Sequence, residues 1–333
     1  MKKVLSLILA LAMVFALAAC GEKQPSNDGN TDGDKPPRGN VIMTFGTADT
    51  GGSMYPAGAA VSQVWTNNVQ GVKCNTQTST GSFQNCQDVA SGEVDVAVAT
   101  SDVVLNAYNG TGKFADIGTL DNLRVIGAVY TSVLSGVALK SSGLTYIHDL
   151  LGKRVAVGPA ASATENATLA AFAVMGITKD NTSLENLGLG DGADSVGDGI
   201  LDAAFGFAGL PIGGQLNLAA TKEIQVLDMT QDELDKVLEG NAAYIQTTIP
   251  AGTYTGQTET ANTFGVKCLI IVTADMDEDL VYDLCKAMNE HTEEMAAGNA
   301  LLKDMTDPSF LCTQMPIPLH DGAQKYYSEQ GLI

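Results

Sequence analysis

Three observations predict an α/β fold of parallel sheets with helices on both faces. Short β-like runs alternate with helical runs along most of the chain. Loops rich in glycine and small polar residues stand where strands give way to helices. The composition is globular, with 333 residues of which 45% are apolar and 17% charged. That length permits one large domain or two ordinary ones.

The elements follow in order. Residues 1–20 are expected to be an export leader: Lys2 and Lys3 form a positive start and Val4 to Ala19 is apolar. Its end, Leu17-Ala18-Ala19-Cys20-Gly21, is similar to a bacterial lipoprotein box. Cleavage before Cys20 would leave a thiol carrying acyl chains, a stable membrane anchor because more than one chain is attached. Residues 21–40 hold no apolar side chain beyond proline, so they read as a flexible tether. In the body, Val41–Thr47, Val72–Thr78 and Val94–Thr100 read as strands. Tyr55–Asn68, Phe83–Ser91 and Asp102–Asn109 read as the helices between or after them. Leu123–Tyr130 and Val133–Leu139 are the next apolar runs, then a short helix at Ile147–Leu151, a strand at Arg154–Val157 and a helix at Thr164–Met175. Strands at Ala203–Phe207 and Ile224–Leu227 and helices at Pro211–Ala220, Gln231–Glu239 and Asp277–Ala296 complete the reading.

Charge and cysteine usage narrow the function classes. A net charge of −20, with arginine only at 38, 124 and 154, repels phosphate backbones and argues against nucleic-acid binding. Beyond the leader no apolar run approaches the roughly 20 residues of a membrane span, which argues against a channel or integral transporter. Cys74, Cys86, Cys268, Cys285 and Cys312 include no C-x-x-C pair, so a zinc ribbon or thioredoxin-like site is not expected. An exported chain permits disulfides, but an odd count leaves at least one thiol unpaired, and free buried thiols are the favoured reading.

Ligands of open α/β sheets sit at the carboxyl ends of strands, beside helix N-termini. Five loops fall there. Thr47-Ala48-Asp49-Thr50-Gly51-Gly52-Ser53 turns tightly and presents N–H groups that would attract an anion or a polar oxygen. It lacks the lysine of a P-loop and could also be only a capped turn. Ser79-Thr80-Gly81-Ser82 offers Ser79 or Ser82 as a helix cap. Ser101 and Asp102 are cap residues too, and Asp102 could instead accept a hydrogen bond from a ligand amine or hydroxyl. In Gly158–Asn166, small residues allow close approach, and Ser162, Thr164 and Glu165 resemble a helix start with an acid in its first turn. Ala208–Gly214 places Gly209, Leu210 and Pro211 after another strand. Catalytic signatures are missing: His148, His291 and His320 lie in none of these loops, His291 and His320 are read as solvated, and neither G-x-S-x-G nor H-E-x-x-H occurs. Asp191, Asp194 and Asp198 hint at calcium but lack the EF-hand spacing and are read as an acidic helix start. No metal and no cofactor is expected, and an enzyme is disfavoured.

Three runs carry a family resemblance: Gly46–Gly58, Ser91–Asp95 with Ser101-Asp102 and Ala107–Gly110, and Asp149–Gly158 with Ser162–Glu165. The first resembles the G-T-G-x-x-G-G-x-Y-Y-P-x-G opening of the TAXI (TRAP-associated extracytoplasmic immunogenic) solute-binding receptors. Ala48 and Asp49 depart from it, as does Met54, which replaces an aromatic residue. The third is shared broadly by type II periplasmic binding proteins. The resemblance implies a two-lobed, Venus-flytrap fold with parallel-rich sheets and a two-strand hinge. Lobe 1 would be 41–131 plus 263–333 and lobe 2 would be 132–262, with the crossings near Thr131–Val137 and Asn262–Val272. It implies capture of a small carboxylate or amino acid, such as glutamate, glutamine or 2-oxoglutarate, and delivery to TRAP membrane subunits outside the cytoplasm. A lipid-anchored sensor, or an enzyme on the same fold, is the alternative. The ligand-binding candidates are Thr47, Asp49, Gly51, Gly52, Ser53, Met54, Tyr55, Thr80, Ser82, Ser101, Asp102, Ser162, Thr164, Glu165, Gly209, Leu210 and Pro211. Arg124 and Arg154 start strands, away from the ligand ends, so an anion would depend on backbone N–H groups, hydroxyls and helix dipoles. Asp49 would repel an anion at close range; it could orient away, or bind the α-amino group of a zwitterion.

Overall fold

The computed structural model of the protein describes residues 39–333. The leader, Cys20 and the linker up to residue 38 lie outside the described residues. The first part of the body alternates β1 (Val41–Gly46), α1 (Met54–Asn68), β2 (Val72–Gln77), α2 (Ser82–Ser91), β3 (Val96–Thr100) and α3 (Ser101–Asn109). A 17-residue strand, β4 (Leu123–Leu139), leads away to β5 (Arg154–Ala156), α4 (Ala163–Val174), β6 (Ser183–Glu185), α5 (Leu189–Gly197), β7 (Ala203–Ala208), α6 (Gly213–Thr221), β8 (Ile224–Val226), α7 (Gln231–Gly240) and β9 (Ile245–Ile249). A second long strand, β10 (Ala261–Thr273), returns, and α8 (Glu278–Glu290), α9 (Thr292–Gly298), α10 (Pro308–Cys312) and α11 (Asp321–Glu329) follow.

All ten strands join in one sheet of order β2-β1-β3-β10-β4-β7-β5-β6, with β8 on β4 and β9 on β10. Parallel pairing between strands is confined to the flanks, β2-β1-β3 and β7-β5-β6, apart from single parallel bridges at Val125–Leu319 and Tyr146–Asp228. Every strand pair made by β4 or β10 is antiparallel. The sheet is therefore mixed rather than parallel-rich, because the outgoing and returning strands run in opposite directions through its middle. The two apolar runs expected before and after residue 131 are one strand, and Thr131 and Val133 pair with Lys267 and Gly265.

Alternate residues of a strand face opposite sides. In β3, Val96 and Val98 enter one core and Ala97 and Ala99 the other, so both faces are covered. Trp65 of α1 stacks on Phe45 of β1 at 5.5 Å between ring centroids and donates its indole N–H to Leu284 O of α8, which seals one face. The register of β4 on β10 slips where Tyr130 pairs with Cys268 but Ala128 pairs with Leu269, leaving Val129 as an extra residue. Alternation fails there: Val129 and Tyr130, although adjacent, enter the same core.

Several expectations are corrected. The helix expected over Asp277–Ala296 breaks at His291, whose φ of −115° and ψ of 19° are not helical. His320 is buried, not solvated, since its Nδ1 accepts the Gly322 N–H to cap α11 and its own N–H bonds to Val125 O of β4. Burial also pushes its pKa below the usual histidine value. His148 and His291 pair with Glu233 and Glu294 at the surface. The short β6 and β9 and the helices α10 and α11 were not anticipated. All five cysteines of the body are free and buried. Cys74 and Cys86 do stand on a strand and the next helix, but they face opposite cores, so no bond between them can form.

Candidate functional site

A cleft lies between the two halves of the sheet, where the strand-to-helix loops meet. Its empty space is about 410 Å³, counting the part open to solvent. One wall is the β1–α1 loop and the start of α2, contributing Asp49, Gly52, Ser53, Met54, Thr80, Gly81 and Ser82. The other is built from Pro159, Ser162, Ala163 and Thr164 at the start of α4, Leu189 at the start of α5, and Phe207 and Ala208 at the end of β7. Tyr130 of β4 joins them beside the register slip.

Four helix N-termini thus converge on one cavity: those of α1, α2, α4 and α5. Each leaves first-turn N–H groups without intrahelical partners and carries the positive end of a dipole. Only α4 has a side-chain cap, in which Ser162 Oγ accepts the Glu165 N–H at 3.1 Å. The starts of α1, α2 and α5 have none. Among the lining residues no lysine, arginine or histidine occurs and Asp49 is the one charged side chain. Asp49 Oδ1 accepts the Gly51 N–H at 2.6 Å, which tightens the loop. Tyr130 is 1% exposed and its hydroxyl has no hydrogen-bond partner among the described residues. The arrangement can hold an electron-rich group of a small molecule on first-turn N–H groups, against a largely apolar wall.

The strand-to-helix loops adopt shapes that need glycine or strain. Gly158 has φ +93°, and a Cβ there would lie 2.6 Å from Thr164 Cβ. Ala161, which is not glycine, has φ +60°. Thr164 Oγ1 accepts the Phe207 N–H at 3.1 Å and ties α4 to β7. Ser82 Oγ accepts the Thr100 N–H at 3.1 Å and ties α2 to β3.

Of the residues singled out in the sequence, Asp49, Gly52, Ser53, Met54, Thr80, Ser82, Ser162 and Thr164 line the cleft. Thr47 lies behind it, buried, donating its hydroxyl to Gln77 O at 2.7 Å. Gly51, Tyr55, Ser101, Leu210 and Pro211 stand outside the lining, and so does Gly209, whose carbonyl accepts the Ser53 hydroxyl at 2.9 Å. Asp102 and Glu165 also lie outside it, on the seam between the halves. Ala48, Gly81, Tyr130, Pro159, Ala163, Leu189, Phe207 and Ala208 line the cleft without having been singled out. Ala48, Gly81, Pro159, Ala163 and Ala208 sit inside loops read as ligand-facing, so adjacency could have found them. Tyr130 could not be found, because its place depends on the slip in β4.

Arg124 and Arg154 are engaged elsewhere. Arg154 pairs with Asp202 at 2.8 Å, and Arg124 donates to the carbonyls of Asp121 and Leu123. Among the described residues no group of acidic, histidine and cysteine side chains could hold a metal ion.

A family model described as the NMT1-like family matches residues 45–331. The alkanesulfonate-binding protein of Xanthomonas axonopodis pv. citri, solved bound to MOPS, is 14% identical, with a TM-score of 0.50 over 87% of this chain and 84% of that one. An amino acid ABC transporter substrate-binding protein of Streptococcus pneumoniae, solved bound to L-arginine, is 13% identical, with a TM-score of 0.48 over 79% and 94%. With the topology above, the first likeness establishes the two-lobed α/β fold of periplasmic binding proteins.

Proposed function

The chain belongs to the NMT1-like family, and from that premise we propose that it is an extracytoplasmic solute-binding receptor. It captures a small carboxylate or amino acid by closing its lobes, and it catalyses no reaction. The observation that carries this reading is the convergence of four helix N-termini on a cleft lined by no cationic side chain. Three histidines would be the natural acid–base groups, and none lines the cleft.

Lobe 1 is 41–131 with 263–333 and lobe 2 is 132–262, hinged on β4 and β10. Dipoles and N–H groups take the carboxylate. Asp49, alone in charge, takes a cationic group, so a zwitterionic amino acid suits the site better than a dianion. Cys20 carries the lipid anchor, and the receptor serves TRAP-type membrane subunits. The leader motif and the match of Gly46–Gly58 to the TAXI opening support these last two statements.

Calorimetric titration of wild type and Asp49→Asn with L-glutamate, L-glutamine and 2-oxoglutarate tests the reading. Asp49→Asn is expected to weaken both amino acids about tenfold, the scale of one hydrogen bond to a charged group, and to spare or improve 2-oxoglutarate. Equal effects on all three would remove the amine role. Failure of every small carboxylate and amino acid to bind or to raise the melting temperature would remove the receptor reading.

A further inference from the structure

We propose that Asp102 is a positioning residue for lobe closure, which with Asn166 and Tyr244 of the opposite half sets how far the ligand-free protein closes and so how tightly it holds solute. Asp102 is fully buried in the first turn of α3, on the β1–β3 side. Its Oδ2 accepts the Asn166 side-chain N–H of α4 at 3.0 Å and the Tyr244 hydroxyl, just before β9, at 3.4 Å. Tyr244 is itself buried and packs edge-on against Phe207 and tilted against Phe264 of β10, which fixes its hydroxyl. Neither Asp102 nor its two partners line the cleft.

Two more bonds cross the same seam. Lys113 pairs with Glu165, and Ser53 donates to Gly209 O. Lys113 and Asn166 also line a small surface crevice with Phe83, Val103, Phe114 and Ala161, residues drawn from both halves. The lock is incomplete, because Asp102 Oδ1 has no partner among the described residues. A buried carboxylate with a vacant oxygen costs free energy that an open, hydrated form does not. The contact is thus poised: it contributes two bonds across the seam and surrenders one hydration site. A contact poised in this way shifts the open–closed balance, and apparent affinity scales with the closed fraction.

The proposal rests on the receptor reading only in that the lobes move, and its first test needs no solute. Small-angle scattering of the purified protein compares wild type with Asp102→Asn, Asp102→Ala, Asn166→Ala and Tyr244→Phe. Asp102→Ala and Asn166→Ala are expected to enlarge the radius of gyration, Tyr244→Phe less so. Asp102→Asn, which keeps an acceptor for Asn166, is expected to stay as compact as wild type. In titrations with L-glutamine as the probe, Asn166→Ala is expected to weaken binding about tenfold. Unchanged scattering of Asn166→Ala, or equal opening by Asp102→Asn and Asp102→Ala, would overturn the proposal. If L-glutamine does not bind wild type, the fault lies in the solute assignment, and the scattering still decides.

Discussion

The seam between the lobes has two regions built on opposite plans. Around the cleft, polar groups are left open: three helix starts lack side-chain caps and the Tyr130 hydroxyl has no partner. Elsewhere on the seam, Asn166, Tyr244, Lys113 and Glu165 find partners on the opposite half. Buried polar groups are costly when unsatisfied, so a protein that leaves them open in one place and pairs them in another divides its surface between ligand and itself. Open donors indicate where a solute belongs, and paired ones indicate what holds the lobes.

The largest test of that division is at the cleft wall. Gly158→Ala forces a side chain onto φ +93° and into Thr164, which misplaces the start of α4. Strain of this kind costs about 1–3 kcal/mol, so a fall of about 3–8 °C in melting temperature is expected by calorimetry. A fall under 1 °C would show that this wall is not tightly specified. Next in size is a pair of variants on either side of the division. Thr80→Ala in the cleft is expected to weaken solute binding and leave the ligand-free scattering unchanged, whereas Asn166→Ala alters both. If both variants move both readouts, the two regions are one.

A smaller effect follows from pH. Burial holds the Asp102 carboxyl above its ordinary pKa in the closed form, although hydrogen bonds from its neighbours pull the other way. The closed form therefore binds a proton more tightly than an open form in which the group meets water. Closure is favoured as pH falls into the window between the ordinary and the raised value, and that contribution is lost as pH rises above it. The groups facing Asp102 are Cys86 of α2, Cys268 of β10 and Tyr244, and burial pushes each of these up, so all three stay neutral across the window. Glu165 behaves oppositely. Burial raises it, but Lys113, the Ala161 N–H and Asn186 outweigh burial and hold it below the usual value. Its contribution is present above the ordinary glutamate pKa and is lost as pH falls through the lowered one. Scattering along a series of falling pH is expected to show tightening in wild type and none in Asp102→Asn. The smallest effect belongs to Lys113→Gln. Its partly exposed ion pair is worth about 0–1 kcal/mol, and its loss is expected to leave the melting temperature within about 2 °C in 150 mM salt.

Much of this fold was legible in the chain. Strand-to-helix loops at 47–53, 79–82, 158–166 and 208–214 announced themselves through glycine, proline and cap residues, and each supplies residues to the cleft lining, the last through Ala208 alone. The lobe-crossing strands were visible as apolar runs, but not their union across Thr131-Ser132, since two polar residues inside a strand look like a turn when pairing is unknown. Asp102 read as a helix cap or a ligand contact because its partners, Asn166 and Tyr244, are 64 and 142 residues away. Tyr130 was illegible for a related reason: a register slip turns it onto the face that alternation assigns to its neighbour. Local signals reveal which segments turn and cap, while contacts between distant segments depend on three-dimensional register.

The five free thiols make the molecule convenient to instrument. Burial pushes Cys74 up to about 11 and Cys268 up to about 12, and Cys86 and Cys285 higher still, so at neutral pH they are protonated and shielded from alkylating reagents. A cysteine introduced at exposed Thr111, beside Lys113, would outcompete every native thiol of the described body for a maleimide dye. A reporter placed there would convert movement across the seam into an optical signal, without first engineering a cysteine-free background.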